Sequence, residues 1–150
     1  MQIAFKLPEI DRETTKNAVE DALEKYRLYL MQIELDKMPA ITAKYTFMPA
    51  SKGLPSSSTE AAAIANVDYE RERIRFMENF NRAVNRLPLK ERIVIITGYM
   101  GTEARFDYEV YNELFMSERS FYRLKSRAFY NLAFALKVEV YQEIEGVSIV

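Results

Sequence analysis

The segment 117–137 carries the feature that most constrains the fold, an apolar stripe that continues at helical spacing without a break. Its members recur every three or four residues and are Phe121, Leu124, Ala128, Leu132 and Ala135. On a helix of about 3.6 residues per turn these side chains share one face, and a continuous apolar face is normally buried. The sequence therefore predicts a long C-terminal helix packed against the rest of the chain.

A shorter helix, starting near Asp107, precedes this one across a tight turn. The apolar spacing breaks over residues 114–116, and Ser117 can then cap the next helix by accepting a hydrogen bond from an unpaired amide. The inward positions of such a helix-turn-helix unit are Val110, Leu114, Met116, Phe121 and Leu124. Tyr111 stands where a small residue is usual and Phe115 where glycine often forms the turn. A bulky joint is expected, with a plain helical hairpin as the alternative.

The opposite face of the 117–137 helix is polar and basic. A rotation of about 100° per residue places the following side chains away from the stripe: Arg119, Tyr122, Arg123, Ser126, Arg127 and Tyr130, with Ser120 at its edge. The helix has five basic residues and one acidic residue, Glu118, giving a formal charge of +4 in a chain of net charge −1. Double-stranded DNA is the expected partner, since a basic helix face is attracted to phosphate.

Different roles are expected within this face. Arg119 and Arg123 can pair bidentately with guanine and are the candidates for reading bases. The expected phosphate contacts are Ser120, Lys125, Ser126 and Arg127. Tyr122 can contact sugar or base, or it can serve as a half-buried packing residue.

Composition argues against most other functions. The chain has 150 residues, 49% of them hydrophobic, which suits one core of ordinary size. It has no cysteine and no histidine, so thiolate chemistry and the commonest general base and metal ligand are missing. The carboxylate pairs Glu20/Asp21 and Glu34/Asp36 are expected on a polar helix face without convergent partners. We therefore expect no catalytic residue, no metal, no cofactor and no enzyme activity.

No membrane partner is expected either. No apolar run approaches the roughly 20 residues of a membrane span. The N-terminal residues lack the basic start and apolar core of a signal peptide. The expected location is the cytoplasm.

The chain is expected to have three parts. Residues 1–38 hold a helix, over 11–36, whose apolar side either packs on its own chain or pairs two copies as a homodimer. Residues 39–58 form an irregular linker containing proline and serine, because three of the five prolines fall there. Within it, residues 40–47 are expected to be extended. Residues 59–150 form the DNA-binding domain.

Two more helices are expected ahead of the helix-turn-helix. The first starts near Thr59, and its apolar stripe is Ile64, Val67, Ile74, Met77, Val84 and Leu87. The second covers residues 89–100; its centre would also suit a buried strand, but Pro88 before it and Gly98 and Gly101 at its end favour a helix. A solvated charged face is expected from Arg71, Arg73, Arg75, Arg82, Arg86 and Arg92, interleaved with Glu70, Glu72, Glu78 and Glu91.

Nearly the whole chain resembles the ArpU family of phage-encoded transcriptional regulators. The resemblance runs through VEDALEKYRLYL, MPAITAKYTFMPAS, STEAAAIANVDYERE and the C-terminal run AVNRLPLKERIVIITGYM to SERSFYRLKSRAFYNLAFALKVEVY. The C-terminal part is also similar to the DNA-binding region four of bacterial sigma factors. That similarity implies a helix over 89–100 and makes Ser117 the cap of a recognition helix. The base or backbone readers it implies are Glu118, Arg119, Ser120, Tyr122 and Arg123.

The family resemblance implies a sequence-specific transcriptional regulator, a late-gene activator of a phage or prophage in the cytoplasm of its bacterial host. Bacterial RNA polymerase is a further partner to consider. Two alternatives stay open. One is a small packaging (terminase) subunit that binds phage DNA as a ring of many copies. The other is an interaction module that contacts RNA polymerase through its basic helix and does not read DNA.

Overall fold

The computed structural model describes residues 9–37 and 57–143. Within these ranges the chain forms five helices and no strand, and the all-α prediction is confirmed. The helices are α1 (Arg12–Lys37), α2 (Ser57–Asn85), α3 (Leu89–Tyr99), α4 (Asp107–Glu113) and α5 (Glu118–Leu136). Helix α2 thus begins inside the expected linker, whose remaining residues, including the extended stretch 40–47, lie outside the described ranges. No helix in the described ranges is long and apolar enough to cross a membrane.

Helix α1 packs along its own chain. An Asp11 carboxylate oxygen caps its first turn by accepting a hydrogen bond from the Thr14 amide at 3.1 Å. Its buried apolar side chains are Val19, Leu23, Tyr26 and Tyr29. They share one core with residues of α2, α3 and α5. The apolar side that could have paired two copies is therefore covered by the rest of the chain.

The apolar stripe expected along α2 is two stripes. Met77, Val84 and, just beyond the helix, Leu87 are buried as expected, and Phe80 and Ala83 are buried beside them. Ile64 and Val67 in the N-terminal half of α2 and Ile74 just past its middle, however, are 63%, 48% and 50% exposed. The expected residues advance in steps of ten, and ten steps of about 100° fall about 80° short of complete turns. The two ends of the pattern consequently face opposite directions.

The ambiguous stretch 89–100 is helix α3, as expected. Val94 and Ile95 are buried, and Pro88 immediately precedes the first helical residue. The helix ends at Tyr99, so Gly98 and Gly101 lie on either side of its end, as expected. A Cβ at Gly98 would lie 3.4 Å from Val110 of α4, an ordinary van der Waals distance.

Glu91 corrects the expectation of a solvated charged face around α3. Its side chain is buried, and one carboxylate oxygen accepts a 2.6 Å hydrogen bond from Asn131 Nδ2 of α5. A buried carboxylate requires such a donor, because loss of hydration is otherwise uncompensated. Glu91 therefore joins α3 to α5.

Helices α4 and α5 are joined by a short turn and pack on α3 through a small second core. This core consists of Val94, Val110 and Phe121, with Tyr111, Leu114, Met116 and Leu124 against it. Every inward position expected for the unit is included. The joint is bulky, as expected, since Tyr111 packs on Phe121 with 5.6 Å between ring centroids. Phe115 forms the turn in a left-handed conformation, at φ 54°.

Helix α5 is central and contacts each of the other four helices. Its cap is the expected one, since Ser117 Oγ accepts a hydrogen bond from the Ser120 amide at 3.2 Å. The buried face adds Phe129 and Ala133 to the expected stripe. Helix α5 ends at Leu136, and the next residue, Lys137, is left-handed at φ 60°. The following segment then returns to the start of α1, where an isolated antiparallel bridge joins Ile10 to Tyr141.

Candidate nucleic-acid interface

The outward face of α5 presents eight of the nine residues expected to contact DNA. They are exposed and consist of Ser117, Glu118, Arg119, Ser120, Tyr122, Arg123, Ser126 and Arg127. They share one side because the opposite side of α5 is held in two cores. Glu118 lies in the first turn, where a carboxylate interacts favourably with the helix dipole.

The arginines of this face form no ion pair with a carboxylate of the described residues. Arg119, Arg123 and Arg127 follow one another at intervals of about one turn and, with Tyr122 and Ser126, line a shallow depression. Guanidinium groups offer several fixed donors that match base edges and phosphate oxygens. The row can therefore give all its donors to a ligand.

Lys125, the ninth residue, is placed differently from the other eight. Its Nζ lies 3.0 Å from Oδ2 and 3.2 Å from Oδ1 of Asp107, the first residue of α4. The same ammonium lies 5.5 Å from the ring centroids of Tyr99 and Phe129. The Lys125 side chain is only 18% exposed. Its charge is thus balanced within the chain, and the contact ties α4 to α5.

Asp107 organises the aromatic groups beside Lys125. The Tyr99 hydroxyl donates a hydrogen bond to Asp107 Oδ1 at 3.5 Å. Burial first, and then the Asp107 and Glu20 carboxylates, raise the pKa of Tyr99 far above its ordinary value. Burial first and Asp107 second also raise the pKa of Tyr122. Both phenols remain neutral and able to donate. Sequence reasoning missed this role of Asp107. Its partner Lys125 lies on the next helix, and residue spacing does not predict the path of the turn between the two helices.

A groove that the sequence did not predict adjoins the α5 face. It has a volume of about 540 Å³ and lies between the first turns of α1 and the middle of α5. Helix α1 lines it with Arg12 and Lys16, while Tyr122, Ser126 and Arg127 of α5 line both this groove and the shallow depression. No local pattern could have paired these residues, because they come from opposite ends of the chain.

The described residues offer no metal centre. Across residues 9–37 and 57–143, no three His, Cys, Asp or Glu side chains cluster so that they could hold an ion. Glu20, one of the carboxylates considered for acid or metal chemistry, lies 3.9 Å from Lys16 Nζ instead.

The chain is similar to the uncharacterized phage-related protein Lin1259/Lin1739 of Listeria innocua serovar 6a. The two are 33% identical over 141 residues, which cover 93% of this chain and 99% of the Listeria protein. No protein-family model matches the chain, and no solved structure gives a significant match.

Proposed function

The chain belongs to a family of phage-related proteins that includes this Listeria protein, and on that premise we propose that it is a sequence-specific DNA-binding transcriptional regulator. The observation that carries the proposal is the row Arg119, Arg123 and Arg127, which has no ion-pair partner in residues 9–37 and 57–143, on a helix whose other side is buried. The resemblance to ArpU regulators supports the finer assignment, a late-gene activator acting in the cytoplasm of the bacterial host. No catalytic role, metal or cofactor is proposed.

In this proposal α5 is the recognition helix. The major groove of DNA, about 12 Å wide, admits one helix, and recognition helices insert their N-terminal turns. Arg119 and Arg123 lie in those turns and would read base edges. Arg127, one turn further along, would meet phosphate together with the hydroxyls of Ser120 and Ser126.

The packing of α5 supports such a role because it limits motion of the helix. Phe121 is held beneath α5 by Val94 of α3 and Val110 of α4. Lys125 and Asp107 add an ionic contact between α4 and α5. We propose that Lys125 positions the two helices and does not bind phosphate, in contrast to the role expected from its place in the sequence. A fixed helix loses less entropy on binding than a mobile one.

Arg123→Ala tests the proposal. It should weaken binding to the target duplex by about 1–3 kcal/mol and relax preference at one base pair. Arg71→Ala is the matched control, because Arg71 is an exposed arginine on the side of α2 opposite its buried residues. Competition titrations with target and scrambled duplexes measure both effects. If Arg123→Ala binds both duplexes as the wild type does, Arg123 is not a base reader.

A second function, contact with a protein, is favoured by an exposed aliphatic stripe on α3. Leu89, Ile93 and Ile96 are 65%, 39% and 47% exposed and lie on the side of α3 opposite the buried Val94 and Ile95. Neighbouring exposed apolar side chains often mark protein contacts. RNA polymerase is the partner that an activator would contact.

Ile93→Glu separates the two functions. The charge should abolish activation in a reconstituted transcription assay and leave DNA affinity unchanged, because Ile93 lies on the side of α3 opposite Val94, which packs on Phe121 of α5. Ile64→Glu, which makes the same substitution at an isoleucine of α2 that is 63% exposed, is the control. Full activation by Ile93→Glu would exclude the α3 stripe as a contact.

A further inference from the structure

We propose that the first turns of α1 form a second DNA-contacting element, in which Arg12 and Lys16 bind the phosphate backbone beside the major groove of DNA that α5 enters. The inference rests on the proposed function and extends it to a helix at the other end of the chain. The observation behind the inference is that the groove between α1 and α5 and the shallow depression on α5 share part of their lining. The shared residues are Tyr122, Ser126 and Arg127. The basic surface is therefore continuous from α5 to α1.

The charges along this surface favour an anion. The groove between α1 and α5 is lined by four basic residues, Arg12, Lys16, Lys125 and Arg127, and by one carboxylate, Asp107. Asp107 is already occupied by Lys125 at 3.0 Å. Lys16 has Glu20 at 3.9 Å, but both side chains are exposed, and an exposed pair of this kind adds little and exchanges readily with other partners.

Arg12, like Arg127, has no ion-pair partner among the described residues. Because Asp107 and Lys125 neutralise each other, the charges that remain along the groove between α1 and α5 are those of Arg12, Lys16 and Arg127. A polyanion that reaches Arg127 would meet the other two without having to displace a buried carboxylate.

The start of α1 is anchored in position. The Asp11 amide donates to the Val140 carbonyl at 2.7 Å, and the Gln142 amide donates to the Glu9 carbonyl at 2.9 Å. The buried Thr15 hydroxyl donates to the Val140 carbonyl at 3.2 Å and accepts from the Val140 amide at 3.0 Å. These bonds fasten the first turns of α1 to the segment that follows α5. Arg12 and Lys16 are thus carried on a rigid support, which lowers the entropy cost of a contact.

The distance between packed helices favours contacts of Arg12 and Lys16 with phosphate over contacts with bases. Neighbouring helices pack about 8–10 Å apart, and a recognition helix nearly fills a major groove about 12 Å wide. A helix alongside α5 consequently lies over the edge of the groove, where the sugar-phosphate strand runs. Arg12 and Lys16 should therefore add affinity that does not depend on sequence.

The double variant Arg12→Ala/Lys16→Ala tests the inference. Each lost phosphate contact should reduce the slope of log K against log salt by about 0.9, so the double variant should lose about 1.8. At about 0.1 M salt this corresponds to binding that is roughly 10- to 60-fold weaker, alike for target and scrambled duplexes. Titration of both duplexes of equal length at several salt concentrations measures slope and preference together.

Two controls accompany it. Arg71→Ala/Arg75→Ala removes two exposed arginines at the same four-residue spacing, on the side of α2 away from its buried residues, and should leave the slope unchanged. Arg12→Lys/Lys16→Arg keeps both charges and should keep wild-type affinity. Thermal midpoints of all variants should match the wild type, since Arg12 and Lys16 are exposed.

The outcomes separate this inference from the proposed function. A wild type that prefers its target, with a double variant of unchanged slope and affinity, overturns the role of α1 and leaves α5 as the recognition helix. An altered base preference in the double variant overturns the assignment to phosphate. A wild type that binds neither duplex overturns both proposals.

Discussion

At the scale of single residues, Asp107 decides which cations of α5 are available to a ligand. It holds Lys125 with both carboxylate oxygens and also accepts a hydrogen bond from Tyr99. Arg123 and Arg127 have no such partner among the described residues. The helical spacing of the sequence was enough to assign Arg123, Lys125 and Arg127 to one basic helix. The spacing could not show that Asp107 of α4 neutralises Lys125.

Lys125→Met separates a structural role from DNA binding. Methionine keeps an apolar stem but leaves Asp107 without its cation, so the free energy of unfolding should fall by about 1–3 kcal/mol, between the values for exposed and buried pairs. The salt dependence of DNA binding should not change. Arg127→Met should do the reverse, lowering the salt slope by about 0.9 with little effect on stability. Equal losses of slope in both variants would show that Lys125 binds phosphate.

At the scale of elements, helices with one buried side were predictable and their mutual contacts were less so. Helix α5 follows from its stripe and from Ser117, which caps it as expected. Pro88 and the following residues correctly favoured a helix for α3. For α2 the spacing joined two stripes that face opposite ways, because exposed Ile64 and buried Val84 look alike in sequence. The groove between α1 and α5 could not be predicted, because the start of α1 is placed by the bridge between Ile10 and Tyr141, which no local pattern specifies.

The α4–α5 turn gives a prediction at this scale. Phe115 has φ 54° and is 97% exposed, so its side chain adds almost no burial while its backbone is strained. A left-handed conformation costs an L-residue roughly 1–2 kcal/mol, part of which glycine loses to its greater freedom in the unfolded chain. Phe115→Gly should therefore stabilise the protein by up to about 1 kcal/mol, measured by urea unfolding. Phe115→Ala, which keeps the strain, should give no such gain; equal stabilities for the two variants would argue against strain in the turn.

At the scale of the whole molecule, the two ends of the described chain meet beside the proposed DNA surface. Helix α1 contributes to the main core, and its first turns are fastened to the residues after α5. Of the two positions expected for this helix, against its own chain or against a second copy, the structure shows the first, and α1 is part of the body that carries α5. The division at residues 38 and 58 remains a prediction about domain organisation.

That arrangement predicts that residues 59–150 will not fold alone. Without α1 the core loses Val19, Leu23, Tyr26 and Tyr29. At about 1.5–3 kcal/mol for each buried side chain, the loss of roughly 6–12 kcal/mol is comparable with the whole stability of a domain, about 5–15 kcal/mol. Circular dichroism of the fragment should show no cooperative thermal transition. A transition near that of the full chain would mean that α1 is dispensable for folding.

The central claim, that α5 reads a DNA sequence, is tested most directly by binding of the full chain to duplexes that tile its own genomic neighbourhood. Binding is measured at two salt concentrations beside a scrambled competitor. We predict that one tile is bound far more tightly than the competitor and that its affinity falls as salt rises. Equal binding to every tile, or binding to none, would contradict the claim and leave the exposed stripe on α3 as the main route to a partner.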